Sequence, residues 1–246
     1  MATAPLSQAT DHHPLIGVFG TALLAAGLLA MPHKSMAQDQ WVVTTFAATD
    51  WLYHGTTETD SNPVIGANIE WQGRKNWFVG TQAQYARTRG VRQRERGGLL
   101  YGGYSVRATA KLDATVSVSR RLFFQSSKPW NSTEYALDLQ HQNGLGLHIS
   151  HSDNYYSHNT DSLVLAGRYR HLLSNHWSTT FEAGTVELSN TNWQDHTYAQ
   201  VSLMHTRDRW AFEAMAHWNS QGSDENFGLE DYSDPGVALQ ISYRVW

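Results

Sequence analysis

Beyond the first 37 residues, apolar and polar positions alternate one for one in segment after segment, and the segments are separated by polar links. Side chains on a strand point alternately to its two faces, so each segment predicts a strand with one apolar and one polar side. Ile65, Ala67, Ile69 and Trp71 alternate with Gly66, Asn68 and Glu70; Trp77, Val79, Thr81, Ala83 and Tyr85 alternate with Gly80, Gln82 and Gln84. The same rhythm returns over 100–106, 112–119, 135–140, 145–150, 163–170, 180–183, 199–203 and 210–218. A first strand near 41–53 and a last over 237–245 bring the expected number to twelve, and almost nothing follows a helical period.

The links sort by parity. Tight ones at 73–75, 109–111, 142–144, 173–175 and 206–208 alternate strictly with longer polar ones at 55–62, 88–96, 124–132, 152–160, 189–194 and 219–233. An even number of antiparallel strands, with short turns at one end and long loops at the other, is the pattern of an outer-membrane barrel. A soluble sandwich has no reason to sort its loops this way. The last strand has one free partner left, the first, and pairing with it closes the sheet. Aromatics mark both ends: Trp71, Trp77, Trp177 and Trp210 beside tight links, Tyr53, Tyr85 and Trp218 near long ones. Rings gather at membrane interfaces because one end is apolar and the other tolerates water. The fold expected is therefore all-β, a 12-stranded antiparallel transmembrane β-barrel of outer-membrane type.

Composition narrows the partners. A formal charge of -4 with 16% charged residues carries no basic excess, so no nucleic acid is expected. Cysteine is absent, which excludes disulfides and thiolate metal sites. The His residues are scattered without metal-ligand spacing, so neither a metal nor another cofactor is implied. A mean hydropathy of -0.47 fits a barrel whose strands each turn half their side chains to a polar lumen. At the start, an apolar run over 15–31 is followed by Ser35-Met36-Ala37, a small-x-small cleavage pattern. Residues 1–37 thus read as a secretory signal peptide and 38–246 as the barrel.

Two stretches resemble known proteins. The segment 46–82 resembles the opening of the proteobacterial TorF-type porin family, which begins Ser-Asp-Tyr-x-x-Arg-Gly and continues to an aromatic-x-Gly-Thr strand. The counterparts are Thr49-Asp50-Trp51, His54-Gly55, Asn62-Pro63, Gly66 and Phe78-Val79-Gly80-Thr81, with His54 where the family has Arg and the family's Ser-Gln pair missing around Thr57-Glu58. The final strand resembles the carboxy-terminal signal of bacterial outer-membrane barrels, although Trp246 is one residue out of phase with its apolar face. These resemblances imply a channel in the outer membrane of a Gram-negative bacterium, inserted by the barrel-assembly machinery. They supply no substrate.

If the apolar faces meet lipid, the polar faces line a lumen carrying Glu70, Asp113, Asp138, Glu182 and Glu213 against Arg168, Arg170 and Arg244. Twelve strands lie between barrels filled by side chains and the open channels of about 16 strands, so a narrow polar passage for small hydrophilic solutes is expected. Wall charges of this kind bias which ions pass. Arg87, Arg89, Arg92, Arg94 and Arg96 crowd the second long loop, opposed by Asp224, Glu225, Glu230, Asp231 and Asp234 in the last. The arginines could meet lipopolysaccharide phosphates or anionic solutes, or pair with the acidic loop across the rim. A non-conducting structural or adhesive barrel is the alternative. A lipid hydrolase is a further one, with His148-Ile149-Ser150-His151 the only suggestive stretch. No catalytic residue is expected, since His148 and Ser150 share the polar face.

Overall fold

The structure, a computed structural model, describes residues 39–57, 59, 61–86, 96–124, 131–155, 160–189, 195–220 and 235–245. The expected signal segment, Arg87, Arg89, Arg92, Arg94, the acidic residues of the last long loop and Trp246 lie outside these. In chain order the strands are β1 (Gln40–Ala48), β2 (Leu52–Tyr53), β3 (Thr56–Thr57), β4 (Val64–Gln72), β5 (Trp77–Ala86), β6 (Arg96–Arg107) and β7 (Leu112–Phe123). They continue with β8 (Ser132–His141), β9 (Leu145–Ser152), β10 (Ser162–Leu172), β11 (Trp177–Leu188), β12 (His196–Arg207), β13 (Trp210–Asn219) and β14 (Gly236–Arg244). All but β2 and β3 form one closed antiparallel barrel of twelve strands in chain order. β1 is the closing strand: Thr44 to Ala48 face Arg244 to Gln240 on one side, and Gln40 to Ala48 face Gln72 to Val64 on the other. The seam continues past the paired residues through the Val245 N–H donated to Val43 O at 2.8 Å.

The barrel is inside out relative to a soluble protein. Ile65, Val79, Val116, Leu165, Phe181 and Leu239 stand exposed on the outer wall, and Ile65 keeps 59% of its surface. Thr44, Asn68, Gln82, Thr115, Ser150 and Ser202, from the alternate positions, are buried inside. Because side-chain direction has period two, this division follows directly from the alternation in the chain. Outer rings cluster near the tight turns, with Trp177 packed on His205 (4.5 Å between centroids), Trp210 on Tyr243 (4.6 Å) and Trp77 on Tyr104 (4.9 Å). On the inner wall of β4 to β6, glycines make room for rings. A Cβ on Gly80 would lie 2.4 Å from the Tyr101 ring, and one on Gly66 would lie 2.3 Å from that of Phe46.

The first long loop departs from the sequence expectation. The first strand ends at Ala48, not at Tyr53, and the chain turns into the lumen. The reason is in the residues: Trp51, Leu52 and Tyr53 are consecutive and apolar, and a wall strand would have to send at least one of them the wrong way. Inside, all three are buried. Tyr53 consequently does not belong to the aromatic girdle. β2 and β3 pair through Leu52 with Thr57 and Tyr53 with Thr56. His54 and Gly55 connect them with φ of 48° and 75°, both positive as a two-residue type I′ turn requires.

Candidate functional site

The lumen is the candidate site, and the β2–β3 hairpin is its dominant feature. The loop that carries it is braced by Asp50, whose Oδ1 accepts from the Trp51 N–H (2.7 Å), Thr57 Oγ1 (2.6 Å) and Thr59 Oγ1 (2.7 Å). Its apolar side packs on the closing region of the wall: Trp51 stacks on Phe46 at 4.9 Å, and Leu52 meets Met215 and Ala238. Its tip reaches the opposite arc. The Tyr53 hydroxyl bonds Glu134 of β8, and His54 Nε2 lies 3.3 Å from the same Oε2. The Arg121 guanidinium of β7 lies 4.0 Å over the Tyr53 ring. Asn219 of β13 donates its amide to Gly55 O at 3.0 Å, and a Cβ on Gly55 would lie 2.4 Å from Tyr198 Cβ. Glycine is thus required there for close approach as well as for φ.

The inner wall changes character to receive the hairpin. Val164, Ala166, Val186 and Tyr198 on β10 to β12 form an apolar seat with Tyr53 and Tyr155. Buried inside this seat, the His54 imidazole is held below its ordinary pKa by the loss of hydration, while its bond to Glu134 pulls the other way.

All eight charged residues expected in the lumen sit on inner-facing positions of the strands, but they differ in what they do there. Glu182 accepts from Arg168 through Nη2 (2.6 Å) and Nε (2.7 Å), and from the Tyr198 hydroxyl at 3.1 Å. Asp138 Oδ1 lies 2.8 Å from His148 Nδ1. Asp113 Oδ1 accepts from Arg107 Nε at 3.2 Å. Glu70 accepts from Gln72 (2.6 Å) and Tyr101 (2.8 Å). Glu213 is buried beside Arg170 and Ser202, and among the described residues neither of its oxygens has a hydrogen-bond partner. Among the described residues Arg170 reaches Ser178 alone, at 3.5 Å, and its Nε has no partner. The Arg244 side chain has no polar partner among the described residues, and both of these arginines are half-buried. Of the loop arginines, Arg96 opens β6.

Sequence reasoning missed the hairpin and with it Tyr53, His54, Arg121, Glu134 and Tyr198. The signal that could have found it is the break in alternation at Trp51-Leu52-Tyr53, followed at once by a His-Gly turn. In the suggestive His148–Ser150 pair, His148 bonds Asp138 and Ser150 Oγ has no hydrogen-bond partner among the described residues, so the two do not form a nucleophile–base contact. Among the described residues no group of three His, Asp or Glu side chains converges as a metal site.

No protein-family model matches the chain, and no curated protein sequence matches it. Solved structures do. The KdgM porin superposes with a TM-score of 0.55 at 9% identity, covering 82% of this chain and 98% of that one. The NanC porin gives 0.54 at 9%, with the same coverage, and a KdgM porin in complex with disordered oligogalacturonate gives 0.54 at 11%, covering 83% and 98%. At these identities the likeness is one of fold, and the fold shared with these porins is that of the closed outer-membrane barrel.

Proposed function

We propose that the protein is an outer-membrane channel for passive diffusion of small hydrophilic solutes, with a bore narrowed by the β2–β3 hairpin. One observation carries this reading: the closed cylinder turns its apolar side chains outward and encloses a polar interior. In water that arrangement exposes the wrong face, whereas in a bilayer it satisfies both. The porins of the same fold and the resemblance of 46–82 to TorF-type porins support the same conclusion. The long loops then face outward, where lipopolysaccharide and solutes are met, and residues 1–37 act as an export signal. The terminal strand, β14, is the segment read by the barrel-assembly machinery.

The second reading is a sealed structural barrel, and the hairpin favours it, because it ties β8 to β13 across the bore. Conductance of the purified protein in planar bilayers, beside that of a variant with residues 52–57 replaced by a short glycine linker, separates the two. A channel gives steps from the native protein and larger steps from the variant. Silence from both, with the barrel folded, rejects the channel. Steps from the variant alone identify a plugged barrel.

A further inference from the structure

We infer that the passage favours small anions, carboxylates foremost, and that Arg170 and Arg244 are the groups that meet them. This deepens the channel reading and rests on it.

By formal charge the inner wall should favour cations, since it holds Glu70, Asp113, Glu134, Asp138, Glu182 and Glu213 against five arginines. Access to water reverses that expectation. Five of the six acids are buried, from Glu70 at 1% to Asp113 at 8% exposure, and Glu134 lies beneath the hairpin. Glu213 has both oxygens sealed from water. The remaining acids hold donors of their own wall: Arg168 and Tyr198, His148, Arg107, or Gln72 and Tyr101. Arg168 and Arg107 are spent in those pairs, and Arg121 covers the Tyr53 ring.

Arg170 and Arg244 are left. Both side chains remain part-exposed, although Arg170 Nε itself is buried, and among the described residues neither has a carboxylate within ion-pair distance. Arg170 lies near the tight-turn end of β10 and Arg244 is the last residue of β14, so both stand in the half of the bore away from the hairpin. On the closed ring β11, β12 and β13 separate their strands, so the two heads enter the bore from different arcs of the wall. A guanidinium presents a planar fork of donors that fits a planar carboxylate in two parallel hydrogen bonds. A solute squeezed through a narrow bore sheds part of its water there, and these donors replace that water more strongly for an anion than for a neutral solute, and not at all for a cation.

The test is the reversal potential of single channels in a potassium chloride gradient, with uptake of succinate and putrescine into proteoliposomes as the solute readout. The native protein should give a reversal potential of anion-preferring sign and admit succinate faster than putrescine. Arg170→Gln with Arg244→Gln should abolish or invert both preferences while conductance persists. Arg170→Lys with Arg244→Lys, which keeps the charge, should retain the sign. Glu70→Gln removes one unit of charge from a buried group whose partners, Gln72 and Tyr101, are neutral, and should leave the sign unmoved. A conducting native protein that prefers cations, or a double Gln variant with native selectivity, overturns the inference and leaves the channel standing. A folded protein that never conducts, with or without the hairpin, overturns the channel and the inference together.

Discussion

Glu70 illustrates how single residues hold this wall. Its side chain projects inward from β4 beside Gly80, and the missing Cβ of Gly80 leaves the space that the end of the Tyr101 ring occupies. The phenol then reaches Glu70 Oε2 at 2.8 Å, with Asn68 Oδ1 at 3.0 Å. A buried carboxylate stripped of a donor bears most of the desolvation cost alone. Tyr101→Phe should therefore destabilise the barrel by about 1–3 kcal/mol, measured as a shift in the urea midpoint of the protein folded in lipid vesicles. Gly80→Ala should act on the same contact by pushing the ring off its seat, and the double variant should cost less than the sum of the two. An additive double variant would show that the ring and the glycine act independently. The sequence placed Glu70, Asn68 and Gly80 on one face and Tyr101 on the inward face of its strand, because period two leaves no other choice. It did not show that Tyr101 fills the space over Gly80, since that depends on the pairing of Gly80 with Tyr101 across β5 and β6, which alternation leaves undefined.

At the scale of elements the hairpin is the piece that alternation could not place. Twelve wall strands were legible because each obeys one rule, apolar out and polar in. A loop folded into the lumen obeys no period, and its inner seat looks like ordinary strand sequence until the partner is known. Val164 and Val186 are apolar on the polar face for this reason. The hairpin also carries a pH dependence. Burial holds the seated His54 below its ordinary value of about 6.5, so the released hairpin takes up a proton more readily than the seated one. The stabilisation His54 gives the seat is complete above that ordinary value and is lost as pH falls through the lower seated one. Acid should therefore loosen the hairpin. The charged or titratable neighbours that share in the response are Glu134, His148, Glu182, Tyr53 and Tyr198. Single-channel conductance should rise as the bath is taken from about pH 7.5 to 5, and His54→Gln should flatten the curve. If His54→Gln keeps the full response, the proton acts elsewhere in the bore.

The whole molecule makes sense only with two solvents, hydrocarbon outside and water inside, and that requirement can be tested at single positions that share a strand. Val201 sits halfway along β12 on the outer wall, flanked by Phe181 of β11 and Ala216 of β13, and is exposed. Its neighbour Ser202 faces inward and is buried. In a soluble protein the exposed site would accept a charge at almost no cost and the buried one would reject it. In a bilayer an arginine at a lipid-facing position near the midplane costs about 2–4 kcal/mol. Val201→Arg should therefore lower the folding free energy in lipid vesicles by about that amount. The same substitution at the rim, where the outer wall already carries Arg207, should cost about 1 kcal/mol or less. The depth dependence is the discriminating quantity, because a soluble barrel has no midplane and would show the two substitutions as equals. Equal tolerance at Val201 and at the rim would mean that no hydrocarbon surrounds the wall, and an inside-out cylinder would then need a protein partner to cover the full girth of its exposed apolar belt.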